Sequence, residues 1–169
     1  MPVNFIHKIL TQLNFCFKKM VKINKYHTDI KPRNIFIIYN DEEKNNFDIR
    51  LGGCNLSIEQ EGINYSSISE NGRLEEEEGE RNESSYYESD KCFKAPEILE
   101  QGNHNKSDLW SIGVLIYYLN FLEYLKNPYN FKKPSDEKLK DLVIKLIEPD
   151  IKKRMNWDEY FSHNFFSKY

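Results

Sequence analysis

A mainly helical domain with one small β-hairpin is the architecture that three features of this 169-residue chain point to. Apolar residues recur at three- and four-residue intervals in several stretches, the spacing that a single buried helix face requires. One β-branched and aromatic run is followed by a polar turn and a second plausible strand. Hydrophobic residues make up 39% of the chain and aromatics 14%, enough to build a core in one domain of this length.

The elements follow in order. Ile6, Ile9, Leu10, Leu13, Phe17 and Met20 share one helical face, so a helix is expected from Phe5 to about Met20. In the stretch HTDIKPRNIFIIYN, Pro32 excludes a helix interior. That stretch is therefore a loop entering a strand, Ile35 to Tyr39, with a turn from Asp41 to Asn46 and a partner strand from Phe47 to Leu51. From Gly52 to Lys91 glycine, serine and glutamate dominate without periodicity, which predicts a loop. Pro96 suits the first turn of a short helix. Asp108 to Leu125 is apolar nearly all round, as a central buried helix would be. After a Pro/Asn/Lys connector (Asn127 to Pro134), Leu139, Leu142, Val143, Leu146 and Ile147 mark another amphipathic helix. A last short helix is expected over Asn156 to His163, with Asn156 as its N-cap. Trp110 and Trp157 are expected in the core.

Charge and cysteine content exclude several function classes. The net charge is −3, which offers no global attraction for nucleic acid or an acidic membrane. The distribution is uneven: Ser69 to Asp90 holds nine acids and two arginines, leaving the remainder mildly basic. That acidic stretch, placed at 66–90, fits a solvated insertion. Alternatively it is an acidic docking tail tuned by phosphorylation of Ser84, Ser85, Tyr86 or Tyr87. Cys16, Cys54 and Cys92 form neither a metal-ligand cluster nor an even disulfide set, which suits a reducing, intracellular compartment. No apolar run reaches membrane-spanning length. The first 28 residues carry five lysines and no acid, a faint presequence-like bias without arginine. His7, His104 and His163 stand alone and are assigned to no metal.

Four motifs then occur in order along almost the whole chain. HTDIKPRN resembles the H-R-D-x-K-x-x-N catalytic loop of serine/threonine protein kinases. KAPEIL resembles the A-P-E that closes a kinase activation segment, KSDLWSIGVLIYYL the buried helix after it, and IEPDIKKRMNWDEYFSHNFF the C-terminal end of that fold. The resemblance implies the helical C-terminal lobe of a protein kinase. It also implies roles for matching residues: Asp29 as acceptor of the substrate hydroxyl proton, Lys31 as the cation beside the transferred phosphate, and Asn34 as a magnesium ligand. Alternatively, Asp29 and Asn34 merely brace the loop by bonding its own backbone. By the same resemblance Glu97 pairs with Arg154, and Asp108 accepts backbone N–H bonds from the loop near His27.

The departures from the family pattern all point one way. RLGGCNLS stands where the family has K-I-x-D-F-G-L-S, so Gly53 takes the place of the metal-binding aspartate, Cys54 of the phenylalanine and Asn55 of the glycine. Thr28 replaces an arginine, and Ser89 and Asp90 replace the glycine and threonine that help seat a substrate. The interval from Asp108 to Arg154 is 46 positions, short for the family and consistent with a trimmed substrate-docking helix. The sequence contains no G-x-G-x-x-G loop and no V-A-I-K motif, so the small nucleotide-clamping lobe is expected to be absent. Together these imply an inactive pseudokinase remnant that needs no ATP or magnesium and binds a protein partner over the exposed interlobe face. The alternative is a divergent, ATP-dependent serine/threonine kinase whose small lobe lies on another chain or is missing from the gene model.

Overall fold

The computed structural model describes residues 1–40, 46–53, 90–101 and 105–167. Cys54, Asn55, His104 and the acidic stretch up to residue 89 lie outside the described residues.

Helix α1 spans Val3–Lys22, one turn longer than the apolar spacing alone indicates. It buries Ile6, Ile9, Leu10, Leu13 and Phe17 of the predicted stripe, while Met20 near its end is half-buried. Its C-terminus closes on Asn24, whose φ is 54°. Asn24 N–H donates to the Val21 carbonyl at 3.0 Å and Lys25 N–H to that of Met20 at 2.9 Å. This is a Schellman closure, and asparagine tolerates its left-handed position better than most side chains. The chain leaves α1 aimed at the loop from His27 to Asn34.

Strands β1 (Ile35–Tyr39) and β2 (Phe47–Leu51) pair antiparallel, with Ile35 opposite Leu51 and Tyr39 opposite Phe47. The second edge of β2 is capped by a helix side chain. Gln12 of α1 donates to the Phe47 carbonyl at 3.0 Å and accepts from Ile49 N–H at 2.7 Å. One amide thus satisfies an edge donor and an edge acceptor, while Phe47 packs on Phe5. The hairpin is thereby fixed to α1, which in turn places Gly52 and Gly53 beside the loop.

The short helix α2 covers Pro96–Gln101 and the central α3 covers Ser107–Phe121. Leu109, Ile112, Val114, Leu115 and Ile116 of α3 are all buried. The helix ends four residues earlier than its apolar run: Leu122 takes a φ of 56° and caps it. Leu125 is buried even so, from the connector rather than from the helix. Helix α4 spans Glu137–Leu146, with the Asp136 side chain accepting from Leu139 N–H. At Gly113 an added Cβ would lie 2.7 Å from Leu146 Cβ and 2.8 Å from Ile147 Cγ1, so the α3–α4 approach requires glycine there. Helix α5, Trp157–Phe161, begins with a capping box between Asn156 and Glu159. It is shorter than expected because Ser162 already ends it. Tyr160 Oη donates to Asn14 Oδ1 at 2.8 Å, pinning the C-terminal region to α1. No helix among the described residues is long and apolar enough to cross a membrane.

Candidate functional site

The loop between α1 and β1 is held by one buried carboxylate. Asp108, in the first turn of α3, accepts from His27 N–H at 2.6 Å and from Thr28 N–H at 2.8 Å. Burial pushes the Asp108 carboxyl upward, and those two bonds work against it. Thr28 has a φ of 65°, an uncommon conformation for a β-branched residue. The Asp108 bond to its N–H helps hold it there. His27 Nδ1 accepts from Asp29 N–H at 3.3 Å, which assigns the ring proton to Nε2. Nε2 then donates to the Gly52 carbonyl at 2.7 Å. Asp108, His27 and Gly52 thus join α3, the loop and the end of β2.

On this frame Asp29, Lys31 and Asn34 converge. Asn34 Nδ2 donates to the Asp29 carbonyl at 2.7 Å and to its carboxylate at 2.9 Å. Lys31 Nζ lies 3.1 Å from Asp29 Oδ2 and 3.0 Å from Asp90 Oδ2. Lys94 Nζ reaches Asp29 Oδ1 at 3.9 Å. Partial burial of Lys31 favours its neutral form, but the two carboxylates outweigh that and its pKa is raised. The loop-bracing bonds of Asn34 and the charge cluster around Asp29 therefore coexist in one constellation.

Gly53 closes the other side. Its φ is 76°, and a Cβ there would meet Asn34 Nδ2 at 2.8 Å and Asn34 Cγ at 2.9 Å. A carboxylate at this position would have to displace an amide already committed to Asp29. A hard divalent cation takes several oxygen ligands. Around Asn34 the described residues supply its own amide oxygen and the Asp29 carboxylate, with no side-chain oxygen from Gly53. The described residues, with Gly53 in place of a carboxylate, do not fit a magnesium–nucleotide site of the family kind.

Glu97 and Arg154 lie further from the loop and tie the chain together. Arg154 Nη1 and Nη2 donate to Glu97 Oε1 and Oε2 at 2.6 and 2.9 Å. The arginine is only 1% exposed and its guanidinium lies 5.0 Å from the Trp110 ring centroid. Burial raises the cost of charging Glu97, yet Arg154, backbone bonding and the Ser107 hydroxyl outweigh it and lower its pKa. Cys92, beside this segment, is pushed up to about 11, chiefly by burial, which leaves little thiolate at neutral pH.

Two participants escaped sequence reasoning. Asp90 is evident in the sequence only as a replacement for threonine, and its partner Lys31 lies 59 positions away. Lys94 carried no signal beyond its charge.

A family model described as protein kinase domain matches residues 3–166. A protein of Acanthamoeba polyphaga mimivirus described as a serine/threonine-protein kinase is 27% identical over 183 residues, covering 95% of this chain and 38% of that protein. CBL-interacting protein kinase 26 of Oryza sativa subsp. japonica is 23% identical over 168 residues, covering 90% of this chain and 29% of that protein. Serine/threonine-protein kinase atg1 of Dictyostelium discoideum is 30% identical over 89 residues, covering 43% of this chain and 13% of that protein. The chain spans about a third of the length of the first two relatives.

Proposed function

The chain belongs to the protein kinase domain family, and on that premise we propose that its site does not transfer phosphate and that the domain serves as a protein-binding module. The described helices and hairpin are read as the larger, helical lobe of that fold. Gly53 carries the proposal. In this family the nucleotide's metal ions neutralise charge on the transferring phosphoryl group, and the catalysis is almost entirely positioning and electrostatics. Gly53 supplies no carboxylate, and its Cβ direction points into Asn34. The proposed binding face is β1, where Phe36, Ile37, Ile38 and Tyr39 are all exposed, Phe36 by 55%. Phe36 and Ile38 lie on one face of β1 and Ile37 and Tyr39 on the other, and an exposed apolar strand of this kind suits a surface that another protein segment covers.

A second reading rests on a specific observation: Asp29, Lys31 and Asn34 are all present, and Asp29 contacts both of the others. On that reading Asp29 accepts the hydroxyl proton and Lys31 steadies the phosphate of a divergent serine/threonine kinase. A nucleotide titration separates the two. Ligand bound only by the folded state stabilises it by RT ln(1 + [L]/Kd), about 2.7 kcal/mol at a hundredfold excess over Kd. The expected result is an unchanged melting temperature in millimolar ATP, with or without Mg²⁺, and no phosphate incorporated into protein substrates. A magnesium-dependent shift, with transfer abolished by Asp29→Asn, would establish the enzyme instead.

A further inference from the structure

We propose that Asp90 is a built-in electrostatic block, holding the Lys31 ammonium so that it turns phosphate anions away. The inference rests on the reading that this site does not transfer phosphate, and deepens it by naming what excludes the phosphate.

Lys31 is the cation that a phosphate would seek at this site, and it is already engaged on two sides. Asp29 Oδ2 lies 3.1 Å from its ammonium and Asp90 Oδ2 lies 3.0 Å away. With Lys94 at 3.9 Å from Asp29, the cluster among the described residues holds two positive and two negative charges and is neutral. Without Asp90 the same cluster would carry one net positive charge beside a loop rich in polar groups. One unit of charge at contact distance is enough to decide whether an anion is attracted.

An ion pair between long, mobile side chains would carry little weight, because holding them in one geometry costs entropy. Asp90 is placed differently. Its carbonyl accepts from Phe93 N–H at 3.2 Å, and Phe93 is buried. The turn after it is fastened to α3 twice: Trp110 Nε1 donates to the Cys92 carbonyl at 3.1 Å, and Ser111 Oγ to the Phe93 carbonyl at 2.7 Å. The Lys31 side chain is itself only 17% exposed. The carboxylate is therefore delivered to Lys31 by anchored backbone, and it has one short side chain to order. Threonine or asparagine at the same place would keep the shape and remove the charge.

The test titrates the full chain with inorganic phosphate and with pyrophosphate, ionic strength being held constant with potassium chloride. Binding is followed by calorimetry and by melting temperature. The wild-type chain is expected to show no saturable binding of either anion. Asp90→Asn and Asp90→Thr are each expected to bind pyrophosphate saturably, with a Kd at least about tenfold below the highest concentration at which the wild-type chain shows no binding, and Lys31→Met in either background should abolish the gain. Asp90→Asn is nearly isosteric and serves should the threonine variant fail to fold. Equal affinity in wild type and a folded Asp90→Asn chain would overturn the block, as would a gain that survives Lys31→Met. Phosphate transfer from ATP by the wild-type chain would instead overturn the inactive reading, so the two failures are told apart.

Discussion

Gly53 holds a φ of 76°, with its Cβ direction 2.8 Å from an Asn34 amide that already donates twice to Asp29. Any side chain here meets two penalties. The left-handed backbone costs most L-residues about 1–2 kcal/mol, Asn and Asp less, and Asn34 must shift at the expense of its hydrogen bonds. Gly53→Ala is therefore expected to lower stability by at least about 1–2 kcal/mol, measured as a shift in the urea unfolding midpoint. An unchanged midpoint would show that the turn accepts a Cβ. The same geometry opposes the simple restoration of an aspartate at this position, because the carboxylate would arrive on the Cβ that Asn34 obstructs.

Between elements, α3 approaches α4 closely at Gly113. Alanine is the better helix former by about 1 kcal/mol, which taken alone predicts stabilisation. Its Cβ would stand 2.7 Å from Leu146 Cβ and 2.8 Å from Ile147 Cγ1, distances that force one helix to move. Overpacking of this kind costs about 1–3 kcal/mol, so Gly113→Ala is expected to destabilise on balance, read as a lower melting temperature. A higher melting temperature would mean that α4 slides aside at little cost. The hairpin depends on a different device, since Gln12 completes the edge of β2 with two hydrogen bonds. Through it the position of Gly52 and Gly53 is coupled to α1.

For the whole molecule, Glu97 and Arg154 join the segment at α2 to the turn before α5 across 57 positions. Losing one partner of such a buried pair leaves the other uncompensated and costs about 3–5 kcal/mol, whereas replacing both by apolar groups costs far less. Arg154→Met is accordingly expected to be much more damaging than Glu97→Leu combined with Arg154→Met, as denaturant unfolding of the three chains would reveal. The pair also sets an acid sensitivity. The Glu97 pKa is lower in the folded chain than in the unfolded one. Its contribution is therefore present above the unfolded value of about 4.3 and lost as pH falls through the lower folded value. Glu97→Gln should flatten the fall in stability below about pH 5. An acid-unfolding curve parallel to that of wild type would contradict this origin.

Much of the architecture is legible in short-range pattern. The spacing of Ile6, Ile9, Leu10, Leu13 and Phe17 marks a buried face because helix periodicity is a local property. Strand β1 shows itself in the same way, by a β-branched run following Pro32. His27, Asp29, Lys31 and Asn34 fall within eight residues, so their clustering needed no knowledge of the remaining chain. Other features depend on which distant segments meet, and residue identity does not encode that locally. The Lys31–Asp90 contact, the Gln12 cap on β2 and the Tyr160–Asn14 bond span 59, 35 and 146 positions. The end of α3 at Phe121 belongs with them, because the left-handed turn at Leu122 stops the helix while the apolar run continues to Leu125. Periodicity reports which face is buried. The path of the folded backbone determines which charge meets which, and at Lys31 that path brings in Asp90 and leaves the cluster neutral.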